Sequence, residues 1–168
     1  MKLAISDACI FIDLFELKLT PLFFSLDLEI LTSANVMNEL NAEQKQVLKP
    51  YTDSGELTVH NISETETIQI ENAKYPASLS LSDRTVLFLA EKLDAMILSS
   101  DKTVRHNAKI RSIEYHGMLW ILDNLVDHSL LSKENAIFCL KHMMDHNLIY
   151  QNNKELMNEM NKRINNWS

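Results

Sequence analysis

Four acidic residues occupy positions in the chain from which their side chains could bind a shared divalent cation. Asp7 follows the short apolar run LAIS, and Asp101 follows the run AMILSS. Asp83 precedes the apolar stripe of a predicted helix by three residues, and Glu39 lies at the edge of another such stripe. Carboxylate-only sites suit Mg²⁺ or Mn²⁺, which keep several waters and bind substrate phosphates. The pattern therefore predicts phosphoryl-transfer chemistry.

The elements that must position these acids can be identified from apolar periodicity. Apolar residues between Val86 and Leu93 recur at the spacing of a helix with one buried stripe, which places Asp83 in its first turn. A continuous apolar run over 95–98 is typical of a strand covered on both faces, and the run over 3–6 repeats that arrangement. Asp7 and Asp101 are therefore predicted to lie at the carboxyl ends of strands, where open parallel sheets form ligand sites.

Short predicted strands alternate with predicted helices along the chain, which indicates βαβ units and a mainly parallel sheet. Further strands are predicted at 29–32, 57–60 and 113–116. Right-handed crossovers would bring Asp7 and Asp101 to the same edge of that sheet. The helices predicted outside the Asp83 segment are 9–15, 34–40, 41–48 (ended by Pro50), one opened by Ser63, 118–126, one opened by Ser132, and 153–167.

Composition predicts one folded domain over residues 1–168, with a core at about 1–126 and a helical extension at about 132–168. The chain has only 2 glycines, so the glycine-rich phosphate loops GxGxxG and GxxxxGK[ST] are excluded. No apolar run approaches the ~18 residues of a membrane span, and an acid interrupts the place of a signal-peptide core. A cytoplasmic location without membrane contact is expected.

The formal net charge of −7 argues against binding nucleic acid through the overall field of the protein. Any nucleic-acid site must therefore be local. A basic patch without acids directly follows Asp101 and contains Lys102, Arg105, His106, Lys109 and Arg111. Without the neighbouring acids, this patch would equally well be a solvated helix face.

Cysteine and histidine spacing gives no zinc motif. Cys9 and Cys139 are far apart and are predicted to be buried small hydrophobic residues that form no disulfide. His142 and His146 share the i, i+4 spacing but have no cysteine partner at zinc-ligand spacing, and there is no HExxH motif.

The chain resembles the PIN domains, a family of small metal-dependent nucleases that includes the toxins of VapC-type toxin–antitoxin pairs. The matching segments are ISDACIFIDLF, ANVMNEL, SLSDRTVLFLAEKL and LSSDKTV, and the resemblance covers roughly residues 2–126. It implies a three-layer α/β/α fold with a mainly parallel sheet, to which this chain adds C-terminal helices. Two departures stand out: Cys9 replaces the usual Ser, Thr or Asn, and no further acid follows Asp101 closely.

By this resemblance, the protein would be an endoribonuclease that hydrolyses RNA phosphodiester bonds with Mg²⁺ or Mn²⁺. Asp7, Asp83 and Asp101 would bind metal, and Glu39 would orient the attacking water. The expected substrate-binding residues are Ser99, Lys102 and Arg105. Single-stranded or looped RNA is favoured because a duplex hides the bases and the scissile bond from a narrow acidic cleft. A small antitoxin protein and a second copy of the chain are the further partners that this reading suggests.

Two other functions compete with the toxin ribonuclease. One is a non-catalytic PIN-fold module that binds RNA or protein, against which the complete set of four acids argues. The other is a metal-dependent phosphatase on a different α/β fold, against which the absence of a DxD pair after the first strand argues.

Overall fold

A five-stranded parallel sheet organises the first part of the chain. The computed structural model describes all residues, Met1–Ser168. Its strands are β1 (Lys2–Ser6), β2 (Leu28–Ser33), β3 (Leu57–His60), β4 (Met96–Leu98) and β5 (Tyr115–His116). They lie in the order β3-β2-β1-β4-β5, and all four neighbouring pairs are parallel. The predicted three-layer α/β/α class with a parallel central sheet is confirmed.

Helices connect these strands and continue to the end of the chain. None of them combines the length and the apolar character that crossing a membrane requires. The helices are α1 (Ala8–Glu16), α2 (Thr20–Phe23), α3 (Ala34–Met37), α4 (Ala42–Ser54), α5 (Glu64–Asn72), α6 (Leu81–Leu93), α7 (Lys102–Ile110), α8 (Met118–Asp127), α9 (Lys133–His146), α10 (Leu148–Gln151) and α11 (Lys154–Trp167).

The two central strands are buried on both faces. Ala4 and Ile5 of β1 and Ile97 and Leu98 of β4 are completely inaccessible to solvent. A strand with helices on both sides has no polar face, which is why these segments read as continuous apolar runs instead of alternating patterns. The predicted positions of both strands are confirmed, and the acids that follow them stand at the carboxyl edge of the sheet.

The chain forms two compact units, Met1–Met118 and Leu119–Ser168. The first unit contains the sheet and α1–α7. In the second unit, α9 and α11 pack together, and Arg163 of α11 binds Asp123 through two hydrogen bonds of 2.8 Å. The C-terminal residues are helical, and they include the short helix α10, which the sequence did not predict. A single domain over 1–168 stays a prediction.

The predicted end of α4 at Pro50 is wrong. The helix continues through Pro50 to Ser54 and ends at Gly55, whose φ of 83° is left-handed. A proline inside a helix removes one backbone hydrogen bond, which tertiary contacts can offset. Here the ring of Tyr51, directly after the proline, stacks on Phe24 at 4.1 Å and holds the last turn in place.

A buried carboxylate joins the end of β3 to α5 and α6. Glu66 is 5 % exposed, and its side chain accepts hydrogen bonds from Ser63 N at 3.0 Å and Lys92 Nζ at 3.0 Å. His60 Nε2 lies 2.9 Å from Glu66 Oε1. The Ser63 N–H lowers the pKa of Glu66 most strongly, and with His60 and Lys92 it brings that pKa to about 2 against the opposing effect of burial.

Replacing this carboxylate should destabilise the fold in a pH-dependent way. Glu66→Gln is expected to lower the free energy of unfolding by about 2 kcal/mol at neutral pH, because a buried acceptor of charge-assisted hydrogen bonds is lost. The folded pKa lies below the ordinary 4.5, so the contribution is present above 4.5 and is lost as the pH falls toward 2. Urea unfolding at neutral pH and at about pH 3 measures the difference.

Glu64→Gln, in the exposed first turn of the same helix, is the matched control and should change stability little. A Glu66→Gln effect that stays constant as the pH falls would contradict the assignment.

Candidate metal and nucleic-acid site

Asp7 stands where β1 ends and α1 begins. Its backbone N–H donates to the Leu98 carbonyl at 2.9 Å, which joins the ends of β1 and β4. Its Oδ1 accepts a hydrogen bond from Ala8 N at 2.8 Å, so the carboxylate is the N-cap of α1. The side chain is almost completely buried, with 4 % of the residue exposed. Asp7 is thus fixed at the carboxyl edge of the sheet, where the two central strands meet.

Ser99 links Asp7 to Asp101. Its hydroxyl donates to Asp7 Oδ2 at 2.8 Å and accepts from Asp101 N at 3.0 Å, and the residue is completely buried. Asp101 in turn caps α7, with Oδ1 accepting from Thr103 N at 2.9 Å and Val104 N at 3.0 Å. One hydroxyl therefore connects two of the four predicted acids, and its hydrogen bonds position them.

Asp83 lies in the first turn of α6, as predicted. Its Oδ2 accepts from Ser80 N at 2.9 Å while Ser80 Oγ accepts from Asp83 N at 3.1 Å, which forms a capping box. One buried and one partly buried contact hold this helix start against the end of β2 and against α3. Ser33 and Thr85 hydroxyls meet at 2.8 Å, and Ser82 Oγ donates to Asn35 O at 3.2 Å.

Glu39 does not lie on a helix, contrary to the prediction. Helix α3 spans only Ala34–Met37, and Glu39 follows in the turn, where its N–H donates to Val36 O. A single turn capped by Ser33 is too short to continue on propensity alone. The Glu39 carboxyl lies within hydrogen-bond reach of Ser82 and interacts electrostatically with Asp7 and Asp83.

Asp7 and Glu39 each lie under the charges of two other acids of this group, without a compensating cation from the protein. Burial raises the pKa of Asp7, and the charges of Asp83 and Asp101 raise it further, against the hydrogen bonds from Ser99 and Ala8. Glu39 is exposed as a residue, but partial burial of its carboxyl raises its pKa, and the charges of Asp7 and Asp83 add to this effect. None of the salt bridges of the protein includes any of the four carboxylates.

The charge and donor chemistry of this group fit a hard divalent cation, since all the donors are carboxylate oxygens and the charge is uncompensated. The ligand geometry is not assembled, however. No three His, Cys, Asp or Glu side chains are grouped closely enough to hold a metal ion. Binding one shared ion would therefore require the carboxylates of the four acids to move toward each other.

The predicted basic residues lie on α7. Lys102 is exposed in its first turn. Arg105 is half-buried, with Nη1 donating to the Ser99 carbonyl at 3.0 Å and the guanidinium 4.9 Å from the centre of the Tyr115 ring. Arg105 is therefore held at the same strand end as the acids, whereas Lys102 extends into solvent.

Cys9 was predicted to be a buried hydrophobic residue, and the structure gives its thiol polar neighbours instead. Its Sγ accepts a hydrogen bond from Ser100 N at 3.3 Å and lies 3.6 Å from Asp7 Oδ2 and 3.7 Å from Ser99 Oγ. Burial and the charge of Asp7 raise the pKa of the thiol. Its position two residues after Asp7, where Ser, Thr or Asn is usual in the family, was the sequence signal for these polar neighbours. Cys139 is buried as predicted, and neither cysteine forms a disulfide.

The chain resembles known proteins in sequence and in fold. A family model described as DUF3368, PIN domain, matches residues 3–166. A solved PilT N-terminus domain protein from the hyperthermophilic archaeon Sulfolobus solfataricus is 16% identical, with 72% of this chain and 91% of that chain covered and a TM-score of 0.45. A domain of a functionally unknown protein from Methanocaldococcus jannaschii is 19% identical, with 70% and 91% covered and a TM-score of 0.47. No curated protein matches the sequence.

Proposed function

Because the chain belongs to the PIN-domain family, we propose that it is a Mg²⁺- or Mn²⁺-dependent endoribonuclease. PIN domains are generally nucleases and commonly depend on a divalent metal. The observation that carries the proposal is the buried Asp7 carboxylate. The charges of Asp83 and Asp101 act on it, and no basic side chain pairs with it. An uncompensated carboxylate at the carboxyl edge of a parallel sheet is what a cation site requires.

Each of the four acids has a distinct role in this proposal. Asp7 and Asp101, joined through the Ser99 hydroxyl, would hold the cation. Asp83 would bind it directly or through a water, and Glu39 would orient the water that attacks the phosphorus. When bound, the ion supplies charge neutralisation for the scissile phosphate and lowers the pKa of a coordinated water.

The substrate would be single-stranded or looped RNA. Lys102 is exposed beside the acids and Arg105 is fixed near them, so both could contact phosphates that flank the scissile bond. The completely buried Ser99 would act on the substrate only through the acids that it positions. Cleavage would leave a 5′ phosphate and a 3′ hydroxyl.

A toxin of a toxin–antitoxin pair is the biological role that we propose for this activity. The inhibitory partner would be a small antitoxin protein with a segment that covers the acidic cleft, and the chain would act in the cytoplasm. A homodimer is the further assembly that we propose.

A non-catalytic RNA- or protein-binding module is the second candidate, and one observation favours it. Asp7, Asp83 and Asp101 all accept hydrogen bonds at helix starts, so each has a structural role that is independent of any cation. Such a module would bind RNA without cutting it.

Cleavage of an end-labelled single-stranded RNA separates the two candidates. The nuclease is expected to cut with Mn²⁺ or Mg²⁺, to leave 5′ phosphates, and to lose the activity in EDTA. Asp101→Asn should reduce the rate on the order of 10²-fold while keeping the fold, because asparagine is also a good N-cap. Asp53→Asn, at an exposed acid paired with Lys49, is the control and should cut normally. RNA binding without metal-dependent cutting would support the binding module.

A further inference from the structure

The guanidinium of Arg105 occupies the space that a side chain at Gly117 would need. Gly117 directly follows β5. There the last residue of β5, His116, accepts a hydrogen bond through its carbonyl from Ser99 N, just after β4, at 2.9 Å. Its backbone is not in the left-handed region, which among the glycines only Gly55 occupies. An alanine could therefore adopt the same backbone conformation, so the glycine is not needed for its conformational freedom. Its lack of a Cβ matters for space.

Only one atom crowds the position that a Cβ would occupy. A Cβ built on Gly117 would lie 2.9 Å from Arg105 Nη1, well inside the ~3.5 Å of a normal contact. The other two neighbours, Ser99 O at 3.5 Å and Ser100 Oγ at 3.7 Å, are at ordinary contact distance. The space at Gly117 is therefore taken by the guanidinium itself, and a methyl group there would conflict with little else.

The crowded nitrogen is also the one that docks the arginine. Arg105 Nη1 donates to the Ser99 carbonyl at 3.0 Å, and the guanidinium stands over the Tyr115 ring at 4.9 Å. A side chain held at two points loses little further freedom when it binds a ligand. The guanidinium has five N–H donors, and the Ser99 contact uses the Nη1 group.

The partners of the four arginines single out Arg105 for anion binding. Arg111 pairs with Glu91 and Arg163 with Asp123, so these two are neutralised by carboxylates. Arg105 has a carbonyl partner instead, keeps its full charge, and lies four residues after Asp101. Arg84 also forms no salt bridge, but its Nε is buried without a hydrogen-bond partner. That nitrogen is therefore not accessible to a ligand.

We propose that Gly117 is a positioning residue that keeps the Arg105 guanidinium docked on the Ser99 carbonyl, from where Arg105 binds a backbone phosphate of single-stranded RNA. Gly117 touches no substrate and acts only through Arg105. This inference rests on the proposed RNA-directed function, but it concerns binding and does not require cleavage.

Gly117→Ala tests the proposal because the end of a flexible side chain can move aside more easily than the backbone. Binding of a fluorescently labelled single-stranded RNA is measured in EDTA, so that cutting cannot contribute, at several salt concentrations. Gly117→Ala and Arg105→Ala should each weaken binding about tenfold, the effect of one charge-assisted phosphate contact. Both should reduce the slope of log Kd against log salt by about 0.7, which a purely structural defect would not do.

The double variant Gly117→Ala/Arg105→Ala decides whether the glycine acts through the arginine. It should bind RNA like Arg105→Ala alone, because the crowded group is gone. Lys45→Ala, at an exposed lysine without an ion-pair partner, controls for loss of one positive charge and should change binding little. A further loss of affinity in the double variant, relative to Arg105→Ala, would overturn the proposal.

The docking of the Arg105 guanidinium can also be tested by NMR spectroscopy in the absence of RNA. In ¹⁵N spectra, a docked Arg105 guanidinium should give separate, slowly exchanging Nη–H signals that Gly117→Ala removes. Unchanged signals together with unchanged RNA affinity would overturn it. If Gly117→Ala unfolds, the double variant should regain the fold, and failure to do so would also count against it. Absence of RNA binding would overturn the phosphate role of Arg105. If RNA binds, the effects of Gly117→Ala and Arg105→Ala are coupled as expected, and no RNA is cut, only the proposed nuclease activity is overturned.

Discussion

Asp7→Asn is expected to abolish metal-dependent RNA cleavage, with a loss on the order of 10³-fold in kcat/KM. Asp7 is the most deeply buried of the four acids, and the charges of Asp83 and Asp101 act on it. The amide keeps the size of the side chain and its acceptor for Ala8 N, but it removes the anionic ligand. The rate is measured on an end-labelled single-stranded RNA at saturating Mn²⁺.

The same substitution should leave stability in the absence of divalent ions no lower than that of the wild type. The folded pKa of Asp7 lies above the ordinary 3.8, so the folded protein binds more protons than the unfolded chain between these values. The stability that Asp7 contributes is therefore full below 3.8 and is lost as the pH rises through the folded pKa. At neutral pH the buried charge is a liability that the amide lacks.

Urea unfolding of the wild type and Asp7→Asn in EDTA measures the difference in their free energies of unfolding and checks its sign. The new amide can donate to Ser99 Oγ, and the Ser99 hydroxyl proton, which loses Asp7 Oδ2 as its acceptor, can turn toward Cys9 Sγ at 3.7 Å. Full cleavage activity in the folded variant would refute the assignment of Asp7. A variant that is inactive and strongly destabilised would instead indicate a structural role for the carboxylate.

Mn²⁺ or Mg²⁺ should raise the thermal stability of the wild-type protein. A ligand at about 100 times its Kd stabilises the folded state by about 2.7 kcal/mol, which corresponds to a Tm increase of about 5–10 °C for a chain of this size. The physical reason is that a bound cation neutralises carboxylates whose pKa values are raised first by burial and then by their mutual repulsion. The increase should grow as the pH rises, because the ligands must be deprotonated.

Differential scanning calorimetry with matched ionic strength of a monovalent salt isolates the specific effect. Asp7→Asn should lose most of the Tm increase, whereas Asp53→Asn, at an exposed acid paired with Lys49, should keep it. An equal increase in wild type and Asp7→Asn would show that the divalent ion binds elsewhere.

The sequence predicted those parts of the site that depend on local pattern. Continuous apolar runs before Asp7 and Asp101 identified two buried parallel strands, because the runs are too short for helices and strands covered on both faces lack alternation. The distance of three residues between Asp83 and its apolar stripe located a helix start. These inferences needed only the periodicity of the chain and the rule that ligand sites form at the carboxyl edge of a parallel sheet.

The parts that were missed depend on contacts between distant residues. The thiol of Cys9 accepts from Ser100, 91 residues later in the chain, so composition alone suggested a buried hydrophobic residue. Helix α4 continues past Pro50 because Tyr51 stacks on Phe24. The space beside Gly117 is occupied by the Arg105 guanidinium, a contact between two elements that no local pattern in the sequence indicates.

Three of the four acids accept hydrogen bonds at the starts of α1, α6 and α7, and this affects which residues would change in related chains that lose activity. A lineage that stopped cutting RNA would still be selected to keep Asp7, Asp83 and Asp101, since each stabilises the start of a helix. Glu39 lies in a turn and caps nothing, so it would be free to drift. Among homologues, we therefore expect the residue aligned with Glu39 to mark the boundary between working nucleases and decayed ones.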